Sequence, residues 1–397
     1  MRVRRLLQIG LGLGMAAAAL PCGAQAKGPA NDARQAALTL EQQGRNAEAE
    51  AAWALVAKAK PASPEAWAHM GLLEARQERY KEAVPLYRKA LALGPAIPSL
   101  QLNLGLALFK SGELKAALEV FSPLLKSEPG NQQLTTLMGM AHYGLAEYAE
   151  AAPYLKEAAD RDPQSLTLRL ALAHSYLWSK QFQKVMDVYH EILQLDPDSA
   201  PANMLAGEAL DELRDSEGST NMFRAAVKAN PKEPNAHFGL GYLLWAQKKY
   251  PEAAPEFQAE LDNDPGHIQA LLYLGDSEIQ MNHLDAARPL LEKAVQLNPK
   301  LGLGHLDLGV IYSENGQTGE ALRELTLAEK FTPEDVNVHW RLGRLYRTMG
   351  RKEEAKAEFD KASKLNKAAD DDLYKKIANG QARPPQTQVP AASPEVK

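Results

Sequence analysis

The segment Trp67-Ala68-His69-Met70-Gly71, with Ala83, Tyr87, Ala90 and Pro95 downstream of it, decides how this 397-residue chain is read. Its proline belongs to a series, Pro61, Pro95, Pro129, Pro163, Pro197, Pro231, Pro265, Pro299 and Pro333, spaced by eight consecutive intervals of 34 residues. The chain holds 25 prolines in all, too few to fall into such a register by chance, and a period of this length marks a repeat architecture. Upstream of each proline lies a small residue in fixed phase: Ala37, Gly71, Gly105, Gly139, Ala173, Gly207, Gly241, Gly275 and Gly309, with Gly343 continuing the series. A second small position follows at Ala49, Ala83, Ala117, Ala151, Val185, Ser219, Ala253, Ala287, Ala321 and Ala355. Four residues further on, a bulky apolar side chain stands every time, from Trp53, Tyr87 and Phe121 through to Phe359. Ten units result.

Each unit contains two runs with helical spacing, as in Trp67, Met70 and Gly71 and then Ala83, Tyr87 and Ala90. Glycine inside a helix costs up to about 1 kcal/mol against alanine, so its recurrence needs a compensating contact. The expected contact is a tight crossing of the two helix backbones at the small positions, the bulky residue filling the space toward the neighbouring unit. Proline cannot continue the second helix and turns the chain into the next unit. One such pair cannot bury its apolar faces alone, so stacked neighbours must supply the core. The fold class expected is therefore all-α, one elongated array, instead of the two or three globular domains that length alone suggests.

The pattern of Trp67 to Gly71 with Ala83, Tyr87, Ala90 and Pro95 resembles the tetratricopeptide repeat family. The resemblance spans roughly residues 30–369, with repeats starting near 30, 64, 98, 132, 166, 200, 234, 268, 302 and 336. It implies a right-handed α-solenoid of helix-turn-helix repeats and a concave groove for protein or peptide partners. Departures are local. Ala173 and Val185 replace the small pair in the fifth unit, which should push those helices apart, and Ser219 stands where Ala is usual in the sixth. In the tenth, Lys367 replaces the terminal proline, so a capping helix is expected to run on over 370–380, its polar side carrying Asp370, Asp371, Asp372, Lys375 and Lys376.

The ends read differently. Arg2, Arg4 and Arg5 precede an apolar stretch from Leu6 to Leu20, Pro21 breaks it, and Ala24-Gln25-Ala26 offers a small-x-small cleavage site. Residues 1–26 are thus expected to be a signal peptide, the stretch being short of the roughly 20 residues a spanning helix needs. Cleavage after Ala26 removes the single cysteine, Cys22, and three arginines, which takes the net charge from −5 to −8. The mature chain is then expected to be exported, periplasmic or secreted, with no integral membrane span. Residues 381–397, rich in Pro, Gln and Ala, are expected to be disordered.

Composition and motifs argue against chemistry. One cysteine excludes a disulfide framework and a cysteine zinc site, and 45 basic against 50 acidic residues advertise no nucleic-acid surface. No phosphate-binding loop, H-E-x-x-H or G-x-S-x-G motif occurs, and no cofactor is expected. His237, His305 and His339 share the slot of Trp67, and recurrence in one slot points to packing, since neighbouring copies lie about 10–20 Å apart, too far to share a metal.

What remains is surface. In the family, residues three before and one and four after the glycine slot of each first helix face the groove. That stripe reads Phe109; Met140 and Tyr143; His174 and Leu177 with Trp178 beside them; Met204, Glu208 and Asp211; Phe238, Tyr242 and Trp245; Leu272, Asp276 and Ile279; and Trp340, Arg344 and Arg347. Aromatic residues gather in binding patches, yet they also pack between neighbouring helices, and the stripe supports both readings. Arg341, Arg344, Arg347 and Arg351 make the tenth unit basic, whereas Glu208, Asp211 and Glu212 make the sixth acidic. A Lys/Asn clamp for a terminal carboxylate is not visible, since Ala68, Leu72, Leu102 and Leu106 occupy its slots. The reading is a non-enzymatic scaffold or adaptor for protein segments. Alternatives are a component of an envelope secretion or polysaccharide-export complex and a glycan-binding repeat protein.

Overall fold

The computed structural model describes residues 29–94 and 98–378. The expected signal peptide, Pro95 and the expected tail lie outside the described residues. All regular structure among the described residues is helical: twenty helices, paired unit by unit. The first six pairs are α1/α2 (Pro29–Gln42, Asn46–Ala59), α3/α4 (Pro64–Arg76, Tyr80–Leu93), α5/α6 (Pro98–Ser111, Leu114–Ser127), α7/α8 (Gln132–Gly144, Tyr148–Arg161), α9/α10 (Leu166–Trp178, Phe182–Leu195) and α11/α12 (Ala200–Glu212, Ser216–Ala229). Four more follow: α13/α14 (Ala236–Ala246, Tyr250–Asn263), α15/α16 (Ile268–Gln280, Leu284–Leu297), α17/α18 (Gly302–Glu314, Thr318–Phe331) and α19/α20 (Val336–Thr348, Lys352–Ala378). The last helix runs unbroken through Lys367, 27 residues in all.

The helices gather into two compact units, divided between Ala229 and Asn230. The first holds six pairs and the second four, while the 34-residue phase runs across the division, as Gly207 and Gly241 show. Within each, a first helix packs on its own second helix and on the second helix before it. Neighbouring first helices also touch, α7 with α9 and α9 with α11 in the first unit, α13 with α15, α15 with α17 and α17 with α19 in the second.

The glycine slot works differently from the expectation. A Cβ at Gly71 would lie 2.9 Å from Cδ1 and Cε1 of Tyr87, and one at Gly241 2.8 Å from Cε1 of Phe257. Gly105, Gly207 and Gly343 likewise face Phe121, Phe223 and Phe359, and Gly275 and Gly309 face Leu291 and Leu325. The bulky residue thus seats directly on its own unit's glycine. The missing methyl makes room chiefly for a side chain from the partner helix, because a ring fits where a second backbone would leave a void. Gly139 is closest to the original idea, since both the side chain and the backbone nitrogen of Leu155 come to 3.1 Å.

A second recurring device closes each pair. The residue seven after the glycine slot has positive φ in all ten units: Gly44, Glu78, Gly112, Ala146, Lys180, Arg214, Lys248, Asn282, Gly316 and Gly350. The next residue's N–H then bonds back to a carbonyl in the last turn, as in Arg79 N to Glu74 O at 3.0 Å and Glu113 N to Leu108 O at 2.8 Å. This left-handed cap satisfies carbonyls that the helix end would leave open.

Candidate functional site

In three of the four repeats that carry Trp67, His237, His305 or His339 in one slot, that residue ties the first helix to the proline turn before it. Trp67 Nε1 donates to Pro61 O at 3.0 Å, and Nε2 of His305 and His339 repeat the bond to Pro299 O at 3.1 Å and Pro333 O at 2.8 Å. A carbonyl oxygen can only accept, so Nε2 donates in both rings. The other ring nitrogen meets a glutamate 19 residues on: His237 with Glu256 at 2.6 Å, His305 with Glu324 and His339 with Glu358, both at 2.7 Å. Glu329 completes a group with His339 and Glu358 whose candidate ligand atoms lie within 4.8 Å of one another. Lys361 Nζ already bridges the two glutamates, at 2.9 Å from Glu329 and 2.8 Å from Glu358, so the chain supplies its own cation there. The packing role read from the recurrence is what these bonds describe; the glutamate partners carry no repeat-wide signal in the sequence.

In the first unit the stripe divides by burial. Phe109, Met140 and Tyr143 are buried. As groove-lining residues they are corrected here: packed into the core, they offer a ligand no surface. Tyr143 makes edge contacts with Tyr148 at 5.8 Å and His174 at 5.4 Å. Above them Trp178, 60% exposed, stacks on Tyr148 at 6.0 Å and donates Nε1 to His174 Nε2 at 3.1 Å. Glu208 is half-buried and Asp211 exposed, one turn apart on α11.

In the second unit Phe238, Tyr242 and Trp245 come together with Tyr273 of α15. Tyr242 stacks on Phe238 at 6.2 Å and on Trp245 at 5.8 Å, and Tyr273 stands edge-on to Tyr242 at 5.3 Å and to Trp245 at 4.8 Å. Burial raises the Tyr273 phenol above its ordinary range, with the neighbouring Tyr242 and Asp276 adding to the shift. The rings are held from below. Buried Glu260 accepts from Asn235 N at 2.8 Å and Phe238 N at 3.1 Å, capping α13 from its partner helix, and Trp245 Nε1 donates to the buried carboxylate of Asp276. Tyr242 is 37% exposed at the top of this stack. Trp340, 44% exposed, carries Arg344 over its ring at 4.9 Å, and Arg344 and Arg347 are exposed beside it. Arg351 is tied to Glu354 and takes no part.

Two open depressions lie elsewhere. One is lined by Leu118, Glu119, Ser122, Lys126, Met138, His142 and Tyr154, the other by Ala254, Gln258, Leu274, Glu278, Pro289 and Leu290; both rest largely on second helices. Among the described residues no helix is long and apolar enough to cross a membrane.

Helix pairs in a 34-residue phase, eight of the ten locked by a bulky residue on a glycine, define an α-helical repeat scaffold with exposed aromatic side chains on its first helices. The chain belongs to the tetratricopeptide repeat family, which matches residues 34–98, 70–132, 102–166, 144–206, 204–268, 244–305 and 336–368. Among curated proteins it is similar to anaphase-promoting complex subunit 3 of Schizosaccharomyces pombe, 23% identical over 223 residues, covering 56% of this chain and 34% of that protein. It is also similar to the human mitochondrial import receptor subunit TOM70, 28% identical over 171 residues, 41% of this chain and 26% of that one. The chain thus spans between a quarter and about a third of the length of these relatives. Of solved structures, it resembles MamA (20% identity, TM-score 0.38, 42% of this chain and 96% of that one) and YrrB (19% identity, TM-score 0.39, 45% and 91%).

Proposed function

We propose that this repeat scaffold is a non-catalytic adaptor that binds an extended protein or peptide segment along the exposed edges of its first helices. The observation that carries this reading is the Phe238–Tyr242–Trp245–Tyr273 stack, capped by a partly exposed tyrosine and fixed from beneath by Glu260 and Asp276. Rigid aromatic anchors bind with little loss of side-chain freedom, and such residues dominate binding energy at interfaces. The adaptor is read as exported, from the residues before Lys27, and a place in an envelope complex fits that location. Tyr242→Ala tests the site, because it removes the exposed ring and leaves Trp245 bonded to Asp276. A partner captured by the unaltered protein and lost by about tenfold or more in the variant supports the reading, a loss typical of an anchor residue. Unchanged capture moves the interface off this stack, and binding to a glycan array in place of protein favours the carbohydrate alternative.

A further inference from the structure

The first helix of the last repeat, α19, presents a charge that the other described residues leave without an ion pair. Arg341, Arg344 and Arg347 follow one another at three-residue spacing directly after Trp340, and the Arg347 guanidinium lies 5.9 Å from the centre of the Phe359 ring. The guanidinium groups of Arg341 and Arg344 lie 5.6 and 4.9 Å from the centre of the Trp340 ring. Among the described residues, no carboxylate forms an ion pair with any of the three, whereas Arg34, Arg45, Arg79, Arg169 and Arg351 each hold one. Like charges at this spacing repel.

Arg341 is the most constrained. It is half-buried, and burial, with Arg344 behind it, holds its guanidinium below the ordinary range against the opposing pull of Glu314 and Asp307. Asp307 makes no hydrogen bond or ion pair with it among the described residues. That carboxyl is buried on α17 with Oδ2 bonded to nothing, and burial, then the nearby Asp276, pushes it well above the usual carboxylate range. A half-buried guanidinium without an acceptor pays a desolvation cost that an incoming anion relieves.

We propose that this α19 face is the docking station for an acidic stretch of polypeptide, whose side-chain carboxylates sit among Arg341, Arg344 and Arg347 while its backbone lies over Trp340. The proposal rests on the adaptor reading above and names the chemistry of the partner. Three arginines cover about 9 Å of helix rise, and alternate side chains of an extended peptide stand about 6.6 Å apart, so two carboxylates in i and i+2 positions meet three guanidinium groups. The occupant is a polypeptide because the chain as a whole carries a net charge of −5, which disfavours a long polyanion while leaving a local match intact.

Fluorescence anisotropy of the full-length protein with a labelled Glu-Ala decapeptide, its Gln-Ala counterpart and a decathymidylate separates the outcomes. The expected result is about tenfold tighter binding of Glu-Ala than of Gln-Ala, weakening with added salt, as carboxylate–guanidinium pairing dictates. Arg344→Gln with Arg347→Gln should erase that preference; both positions are exposed, and circular dichroism confirms the fold. Equal binding of the two peptides, absence of Glu-Ala binding, a preference that survives the double substitution, or tighter binding of the oligonucleotide would each overturn the proposal. Equal binding that Tyr242→Ala weakens overturns the acidic-segment assignment alone and leaves the aromatic site standing.

Discussion

Replacing Gly71 with alanine tests the contact that organises eight of the ten repeats. The added methyl would sit 2.9 Å from both Cδ1 and Cε1 of Tyr87 and 3.2 Å from its Cγ. Carbon atoms pack best at about 3.5–4.0 Å, so the ring must withdraw by roughly 0.6 Å or more. Tyr87 is fully buried between the helices, and the atoms in question lie near the root of the side chain, where rotation gives no escape. Overpacking of this kind costs about 1–3 kcal/mol, and the helix propensity of alanine over glycine returns at most about 1 kcal/mol. The net expectation is a loss of about 1 kcal/mol, read as a lower urea midpoint by circular dichroism. Gly319→Ala is the matched control, because its Cβ meets nothing within 4 Å in α18. There the propensity gain acts alone, so the midpoint should hold or rise. Combining Gly71→Ala with Tyr87→Leu should recover most of the loss, since leucine already sits on glycine in the Gly275–Leu291 and Gly309–Leu325 pairs. Midpoints are compared because a repeat array need not unfold in two states. A Gly71→Ala protein that matches the control in sign would falsify the packing account of the slot.

Three further outcomes follow from the geometry. Ala146→Gly relieves a left-handed backbone position, φ 60°, and should raise the urea midpoint by the equivalent of about 0.5–1 kcal/mol, whereas Gly112→Ala at φ 87° should lower it. Glu358→Ala strips the acceptor from His339 Nδ1 and one of the two acceptors from Lys361 Nζ, and a loss of about 1–3 kcal/mol is expected, with faster hydrogen exchange concentrated in α19. Asp307 gives a pH dependence. Its carboxyl is held well above the ordinary 3.8 in the folded state, so its stabilising contribution is present below that value and is lost as pH rises toward the raised one. Asp307→Asn should therefore flatten the fall in stability across that window and leave the protein more stable at neutral pH, measured as urea midpoints at a series of pH values.

The repeat phase, the pairing of each glycine with a bulky residue sixteen positions on, and the proline turns were all legible in the chain, because each recurs at a spacing that local geometry enforces. The packing role of His237, His305 and His339 was legible for the same reason. Their glutamate partners were not, since many carboxylates fall on second helices and only the crossing of α13 with α14, α17 with α18 and α19 with α20 selects Glu256, Glu324 and Glu358. The left-handed cap was half-hidden: glycine marks it in four units, while Glu78, Ala146, Lys180, Arg214 and Lys248 adopt the same φ without advertising it. The stripe of candidate site residues shows the limit most clearly. Met140, Tyr143, Tyr242 and Trp340 share one helical phase, yet the first two are buried and the last two are partly exposed. Helical period fixes the direction of a side chain relative to its own axis. Whether that direction ends in a neighbour or in water depends on the side chains the adjacent helix brings, and only the tertiary structure decides that.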